Sequence, residues 1–235
     1  MSGRVCRAVP GKDGISLRAE NISFHYGAGK PVLEDFSADF TGGEITALTG
    51  KNGCGKTTLA RIIMGILVPD GGSVKLGEED LGALSLAERG ARIGYVMQEP
   101  SRQLFSATVS EEIRFGLDNK VKKGLLTAEE ALAGSEDAVK TFELERYRDE
   151  FPLSLSAGER QRVVLAAVMA LRPSFLILDE PTSSLDKKRK TALYETLLRI
   201  KEENGCGTIL ITHDRAFAAL AADREIVMPG GGRNV

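Results

Sequence analysis

Gly50-Lys51-Asn52-Gly53-Cys54-Gly55-Lys56-Thr57-Thr58 lies between a short apolar segment, Glu44-Ile45-Thr46-Ala47-Leu48-Thr49, and an amphipathic run from Leu59 to Leu67. It fits G-x-x-x-x-G-K-[ST], a loop whose backbone N–H groups cradle phosphates. Gly50, Gly53 and Gly55 permit tight turning at positive φ and bring the backbone against a phosphate with no Cβ in the way. A helix beginning near Gly55 adds its positive N-terminal end to that anion site. Lys56 is spaced to reach β- and γ-phosphates, and the Thr57 hydroxyl to ligate Mg²⁺. Asn52, Cys54 and Thr58 complete the loop. Strand, loop and helix in this order predict an α/β chain that binds a nucleoside triphosphate.

The chain has 235 residues, with 31 Lys+Arg against 33 Asp+Glu and a formal net charge of −2. That length supports one domain with a sizeable core. The balanced charge argues against a dedicated nucleic-acid surface, so no nucleic-acid partner is expected. No apolar run approaches the roughly 18 residues of a membrane span, and residues 1–12 lack the apolar core of a signal peptide. A soluble, cytoplasmic protein is expected. Cys6, Cys54 and Cys206 are scattered and suggest neither a disulfide framework nor a zinc site. Cys54, close to Lys56 and a helix N-terminus, is expected to favour thiolate and to react with thiol reagents. His25 and His213 are the only candidates for histidine chemistry.

Residues 1–14 read as a flexible leader. Ile15, Leu17 and Ala19 alternate with polar residues, and Ile22, Phe24 and Tyr26 do so again, which is strand character. Tyr26 reads first as an ordinary strand aromatic. Val32–Phe40 reads as a second strand, so a small antiparallel β-subdomain precedes the parallel core. Pro69–Gly72 reads as a turn, Ser73–Leu76 and Ile93–Met97 as strands, Glu111–Leu117 and Thr127–Leu144 as helices, and Asp118–Gly124 as a solvated loop. Ser156 with Glu159 three residues on forms a capping box before a helix through Leu171. Phe175-Leu176-Ile177-Leu178-Asp179-Glu180 is a buried strand ending in two acids, one suited to hold Mg²⁺ and the other to orient or deprotonate water. Lys187–Glu203 reads as a helix, Thr208–Thr212 as a strand, His213 as the start of the next helix, and Ile226–Met228 as the last strand before a Gly-rich tail. Alternating strands and helices predict a wound parallel sheet.

With those residues in place, the chain resembles the ATP-binding subunits of ABC transporters over nearly its whole length. Gly50–Thr57 looks like the family's Walker A loop, Phe175–Glu180 like Walker B with its catalytic glutamate, and Leu155-Ser156-Ala157-Gly158-Glu159 like the signature usually written LSGGQ. Gln98 sits where the Q-loop glutamine falls, Ser184-Leu185-Asp186 where the D-loop falls, and His213 where the switch histidine falls. Tyr26 takes the place of the aromatic that stacks on adenine. Ala157 and Glu159 depart from the signature's first glycine and its glutamine. The resemblance implies a P-loop NTPase core with a parallel sheet, the antiparallel β-subdomain and a helical subdomain over about residues 99–172, all in one ABC ATPase domain. It also implies ATP and Mg²⁺ as cofactors. Glu180, His213 and Lys56 would be catalytic, and Thr57, Gln98 and Asp179 would attend the metal. A head-to-tail dimer would sandwich ATP between the Lys56 loop of one subunit and Ser156, Gly158, Glu159 and Asp186 of the other.

A narrower likeness follows Gln98. Residues 98–116, with Gln103-Leu104-Phe105, Thr108-Val109, Glu112-Ile113 and Phe115-Gly116, resemble the energy-coupling-factor (cobalt-type) importer ATPases, which move vitamins or transition-metal ions. This implies transmembrane subunits as partners, pairing as a homodimer or with a related ATPase, and a peripheral position on the cytoplasmic face of the membrane. Of the apolar set Leu104, Phe105, Val109, Ile113 and Phe115, some would pack on the domain's own core and the remainder would line a groove for a transmembrane-subunit helix, with Glu111 and Glu112 favouring a partner arginine. Many members carry a C-terminal extension that supports pairing. This sequence stops at Val235, so weak pairing without the membrane subunits is expected. Another importer or exporter subclass is the first alternative. A non-transport ABC protein is disfavoured because no sustained heptads separate the phosphate loop from the signature. A small-molecule phosphotransferase would need neither the signature nor His213.

Overall fold

A computed structural model describes residues 14–183 and 185–229. The leader expected over residues 1–14 lies outside the described residues except for Gly14, as do Cys6, Ser184 and most of the Gly-rich tail. Strand β1 (Ser16–His25) runs antiparallel to β2 (Pro31–Thr41) on one side and to β4 (Gly71–Leu76) on the other. β5 (Glu79–Asp80) completes a four-stranded sheet in the order β2-β1-β4-β5 among the described residues. The apolar alternation of β1 changes phase, with Leu17 and Ala19 buried and then Ile22 and Phe24. Two residues intervene where strict alternation has one. The pairing slips between Ala19 and Ile22, and Asn21 there adopts φ 51°. A bulge flips the parity so that both halves still face the core.

The second sheet is parallel throughout, in the order β6-β7-β8-β3-β9 among the described residues. Its strands are β3 (Ile45–Thr49), β6 (Ile93–Val96), β7 (Phe175–Asp179), β8 (Gly207–Ile211) and β9 (Arg224–Val227). Both faces of this sheet are covered, as parallel sheets require. Phe175, Ile177, Ile209, Ile211, Ile93 and Tyr95 point into one core, with Leu59, Ile62 and Ile63 of helix α1 (Lys56–Met64) and the inner side of the antiparallel sheet. Leu176, Leu178, Leu210 and Val96 point into the other. That second core is filled by α3 (Val109–Lys122), α4 (Ala128–Thr141), α5 (Ala157–Ala170) and α6 (Lys187–Asn204). Short α2 (Leu86–Gly90) precedes β6, and α7 (Arg215–Ala221) precedes β9. Among the described residues no helix is long and apolar enough to cross a membrane.

Several sequence expectations shift. Gly71 and Gly72 belong to β4 and not to a preceding turn. The lysine-bearing stretch after Leu117 is helical as far as Lys122, because nothing breaks the helix before Gly124 and cations suit its last turn. Lys120 is no solvated loop residue, since its Nζ donates to Leu171 O at 3.1 Å. His213 stands two residues before α7, whose N-cap is Asp214. Glu112 is buried, and its Oε2 accepts from the N–H groups of Phe105 and Ser106 at 2.9 and 2.8 Å. It ties down its own loop instead of standing on the surface as a free carboxylate.

Gly207 sets how closely the two sheets approach. A Cβ there would lie 2.4 Å from Phe175 Cε1 and 2.9 Å from the Thr41 carbonyl at the end of β2. A backbone carbonyl cannot rotate away, and overpacking of this kind typically costs about 1–3 kcal/mol. Gly207→Ala is therefore expected to lower the thermal midpoint by several degrees, at about 2–4 °C per kcal/mol for a chain of this size. A calorimetric scan beside the wild type checks it.

Candidate active site

The alternation of β7 aims its last residue. Phe175 and Ile177 face the α1 side, so Asp179 does too, and it meets the phosphate loop there. Thr57 Oγ1 donates to Asp179 Oδ1 at 3.1 Å, and Tyr95 OH donates to Asp179 Oδ2 at 3.1 Å. Asp179 is 2% exposed. Burial pushes its carboxyl above the ordinary range, only partly offset by the hydrogen bonds from Thr57 and Tyr95 and by the Arg61 and Lys56 charges. Burial likewise pushes the Tyr95 phenol up, and the neighbouring Asp179 adds to it.

Gly50, Gly53 and Gly55 hold φ of 148°, 80° and 100°, the left-handed region that glycine adopts without penalty. Gly55 also touches the antiparallel sheet, since a Cβ there would sit 2.7 Å from Leu33 Cδ2. Lys56 Nζ arches back over the loop and donates to the carbonyls of Gly50 and Lys51 at 3.0 and 3.1 Å. Asn52 and Gly53 are exposed, whereas Cys54 is 2% exposed beneath Lys56, with Nζ 3.8 Å from Sγ. The expected ready reaction of Cys54 with thiol reagents is thereby corrected, because burial shields the sulfur.

Glu180 follows at φ 50°, a conformation costly for a residue with a side chain, and its N–H donates to Ile211 O at 2.8 Å. This turn swings its carboxylate toward the end of β8, where Oε2 lies 2.7 Å from His213 Nδ1 and also accepts from the His213 N–H at 3.3 Å. Tyr26, at the tip of the antiparallel sheet, is half exposed, and its hydroxyl lies 3.2 Å from Thr58 Oγ1. Gln98 is exposed beyond β6 and makes no hydrogen bond to Thr57 or Asp179 among the described residues. Its loop is braced by Gln103, which accepts from Met97 N–H and donates to Tyr95 O, each at 2.8 Å.

Ser156, Gly158, Glu159 and Asp186 form a separate group. They line one surface recess with Lys188 and Arg189, and none of the residues from Gly50 to Thr58 lines it. Ser156 and Glu159 complete a reciprocal capping box at the start of α5, and Asp186 caps α6 by accepting from Arg189 N–H at 2.8 Å. Glu159 also accepts from Tyr147 OH, and the Arg146 guanidinium lies 4.5 Å from the Tyr147 ring centre. The hydrogen bond from Tyr147, followed by those from Ser156, lowers the Glu159 carboxyl to about 2.

Sequence reasoning missed Tyr95 and Tyr147, and it named Gln103 without its bracing role. Tyr95 and Tyr147 belong to no motif, and each reaches its partner only through folding, 84 and 12 residues away.

A family model described as "ABC transporter" matches residues 33–183. The energy-coupling factor transporter ATP-binding protein EcfA1 of Bacillus licheniformis is 37% identical over 217 residues, covering 92% of this chain and 75% of that protein. EcfA1 of Bacillus subtilis is 38% identical with the same coverage. Among solved structures, cbiO1 from Clostridium perfringens, described as part of the ABC transporter complex cbiONQ, superposes with a TM-score of 0.83 at 32% identity, covering 93% of this chain and 86% of that one. A dimeric ATP-binding cassette in a post-hydrolysis state with ADP and Pi superposes at 0.79 with 27% identity, covering 93% and 97%.

The depressed Glu159 carboxyl stabilises the fold above its unfolded value of about 4.3, and that contribution is lost as pH falls toward about 2. Tyr147→Phe removes the largest cause. Its destabilisation relative to wild type is expected to be full at neutral pH and to shrink as pH falls through that window, as read by denaturant unfolding at a series of pH values.

Proposed function

The chain belongs to the ABC transporter family, and from that premise we propose that it is the ATP-hydrolysing subunit of an importer of the energy-coupling-factor type. The observation that carries the chemistry is the meeting of the phosphate-loop Thr57 with Asp179 at 3.1 Å, beside a Glu180 that engages His213 at 2.7 Å. Three segments far apart in sequence meet at the end of β7. The transport class rests on the energy-coupling-factor relatives, which match over 92% of this chain.

In this reading the N–H groups of Gly50–Gly55 hold the phosphates, and Lys56 exchanges its loop carbonyls for phosphate oxygens. Thr57 and Asp179 present a hydroxyl and a hard carboxylate side by side, the donors Mg²⁺ takes when phosphate completes its shell. Bound Mg²⁺ would neutralise charge developing on the β- and γ-phosphate oxygens. Glu180 accepts a proton from the attacking water, and His213 holds that carboxylate in place. Tyr26 offers its half-exposed ring to the adenine. Ser156, Gly158 and Asp186, set apart in their own recess, would serve the ATP of a second copy or a related ATPase in a head-to-tail pair. Gln98 would relay the state of the metal site to the transmembrane subunits.

Those subunits would hold the chain at the membrane through a surface after Gln98. Leu104, Val109 and Ile113 belong to the core, leaving Phe105 and Phe115 exposed as an edge-to-face pair with centroids 4.7 Å apart. Exposed aromatics of this kind are favoured interface anchors.

Glu180→Gln is expected to keep ATP binding while turnover falls by about 10²–10⁴-fold, the usual worth of general-base help. A phosphate-release assay beside a nucleotide-binding titration checks it, and turnover within a few-fold of wild type would remove Glu180 from the mechanism. Changing Phe105 and Phe115 together to Ser should leave ATP hydrolysis by the isolated chain unchanged. Membrane subunits that co-purify with the wild type should be lost from this variant. Undiminished co-purification would move the docking surface elsewhere.

A further inference from the structure

The antiparallel sheet runs out of its own hydrogen bonds just before Tyr26. On one side, β4 pairs no further than Ser23, opposite Gly71. On the other, His25 faces Pro31, which has no N–H to give. Asp70, in the loop between α1 and β4, takes over at this point. Its N–H donates to Ser23 O at 2.8 Å, and its Oδ2 accepts from the His25 N–H at 2.8 Å. The same Oδ2 lies 2.6 Å from His25 Nδ1. Both side chains are about half exposed, at 47% and 42%, and exposed pairs of this kind typically add little to stability. Their effect is local. They fix the backbone of the residue that precedes Tyr26.

Two further contacts fix the Tyr26 side chain. Its ring stands edge-on to Phe24 at 4.9 Å and 88°, and its hydroxyl meets Thr58 Oγ1 on α1. A turn closed by Gly29 N–H on the Tyr26 carbonyl leads the chain away again. Asp70 and Thr58 lie on opposite ends of the same segment, α1 and the loop that follows it. Helix α1, through Thr58, and the loop that follows it, through Asp70, thus hold the aromatic tip of the other sheet at two points.

We propose that Asp70, acting through His25, is a positioning residue that sets the Tyr26 ring against the base of the bound nucleoside triphosphate. This rests on the reading of Tyr26 as the adenine platform. A base stacked on a misaligned ring loses contact, whereas the phosphates, held by Gly50–Lys56, do not register the change.

The test titrates the purified full chain with ATP and, separately, with inorganic tripolyphosphate, each with excess Mg²⁺. Tyr26→Ala should weaken ATP about tenfold and leave tripolyphosphate unchanged, in line with measured base–aromatic stacking. Asp70→Ala should weaken ATP by about threefold to tenfold, a part of that stacking term, again without affecting tripolyphosphate, and should add nothing in a Tyr26→Ala background. His25→Ala should reproduce the loss, and His25→Asn, whose amide can donate near the place of Nδ1, should restore it. Should Asp70→Ala fail to fold, the two His25 variants carry the comparison. Wild-type ATP affinity in Asp70→Ala or His25→Ala, or an equal loss of ATP and tripolyphosphate, overturns the positioning role. An unaffected Tyr26→Ala overturns the platform reading itself and the proposal with it.

Discussion

Asp179 brings a carboxylate to a place only 2% exposed, where desolvation works against its charge. Two hydroxyls, from Thr57 and Tyr95, are spent on that one group. An apolar residue would cost the fold less there, since a buried charge is tolerated only with partners and rarely improves on hydrophobic packing. In the function proposed above, that carboxylate and the Thr57 hydroxyl would together hold the cation. The arrangement also dictates much of the surrounding architecture, because the carboxylate has to emerge at the carboxyl end of a central strand, on the face where α1 begins.

The parallel sheet meets that requirement through parity. β7 is apolar at every position before Asp179, and its side chains divide alternately between two cores. One core joins the sheet to α1 and the antiparallel sheet, and the other joins it to α3, α4, α5 and α6. The two halves of the molecule therefore share one set of strands, and the acid pair sits at their end. A shift of one residue in β7 would turn Asp179 away from the phosphate loop and bring Leu178 to it, the usual consequence of a strand's two-residue period.

The residues proposed for the chemistry fall into two groups within one chain. The phosphate loop, Asp179, Glu180 and His213 converge, while Ser156, Gly158, Glu159 and Asp186 gather in a different recess. In the proposed head-to-tail pair each copy completes the site of the other, so assembly and turnover become one event. The capping box of Ser156 and Glu159 suits this role. It fixes the first turn of α5 whatever lies opposite, so the recess is preformed and loses little entropy on closure.

The sequence by itself determined the parts whose physics is local. The phosphate loop is legible because its glycines and its lysine serve a backbone geometry contained within nine residues. The box at Ser156 and Glu159 and the acids ending β7 are equally local, since caps and strand periods act over three to five neighbours. Even the bulge of β1 is written in its change of apolar phase. The helix through Lys122 was obscured by its own lysines, which a polar count reads as loop although they stabilise a last turn. Tertiary structure alone decided what depends on one segment meeting another. It turned Glu112 inward to its own loop, buried Cys54, brought Tyr95 beneath Asp179 and set Glu180 against His213. Each of those outcomes depends on desolvation or on a partner supplied from elsewhere in the fold. A residue's spacing along the chain carries no record of either.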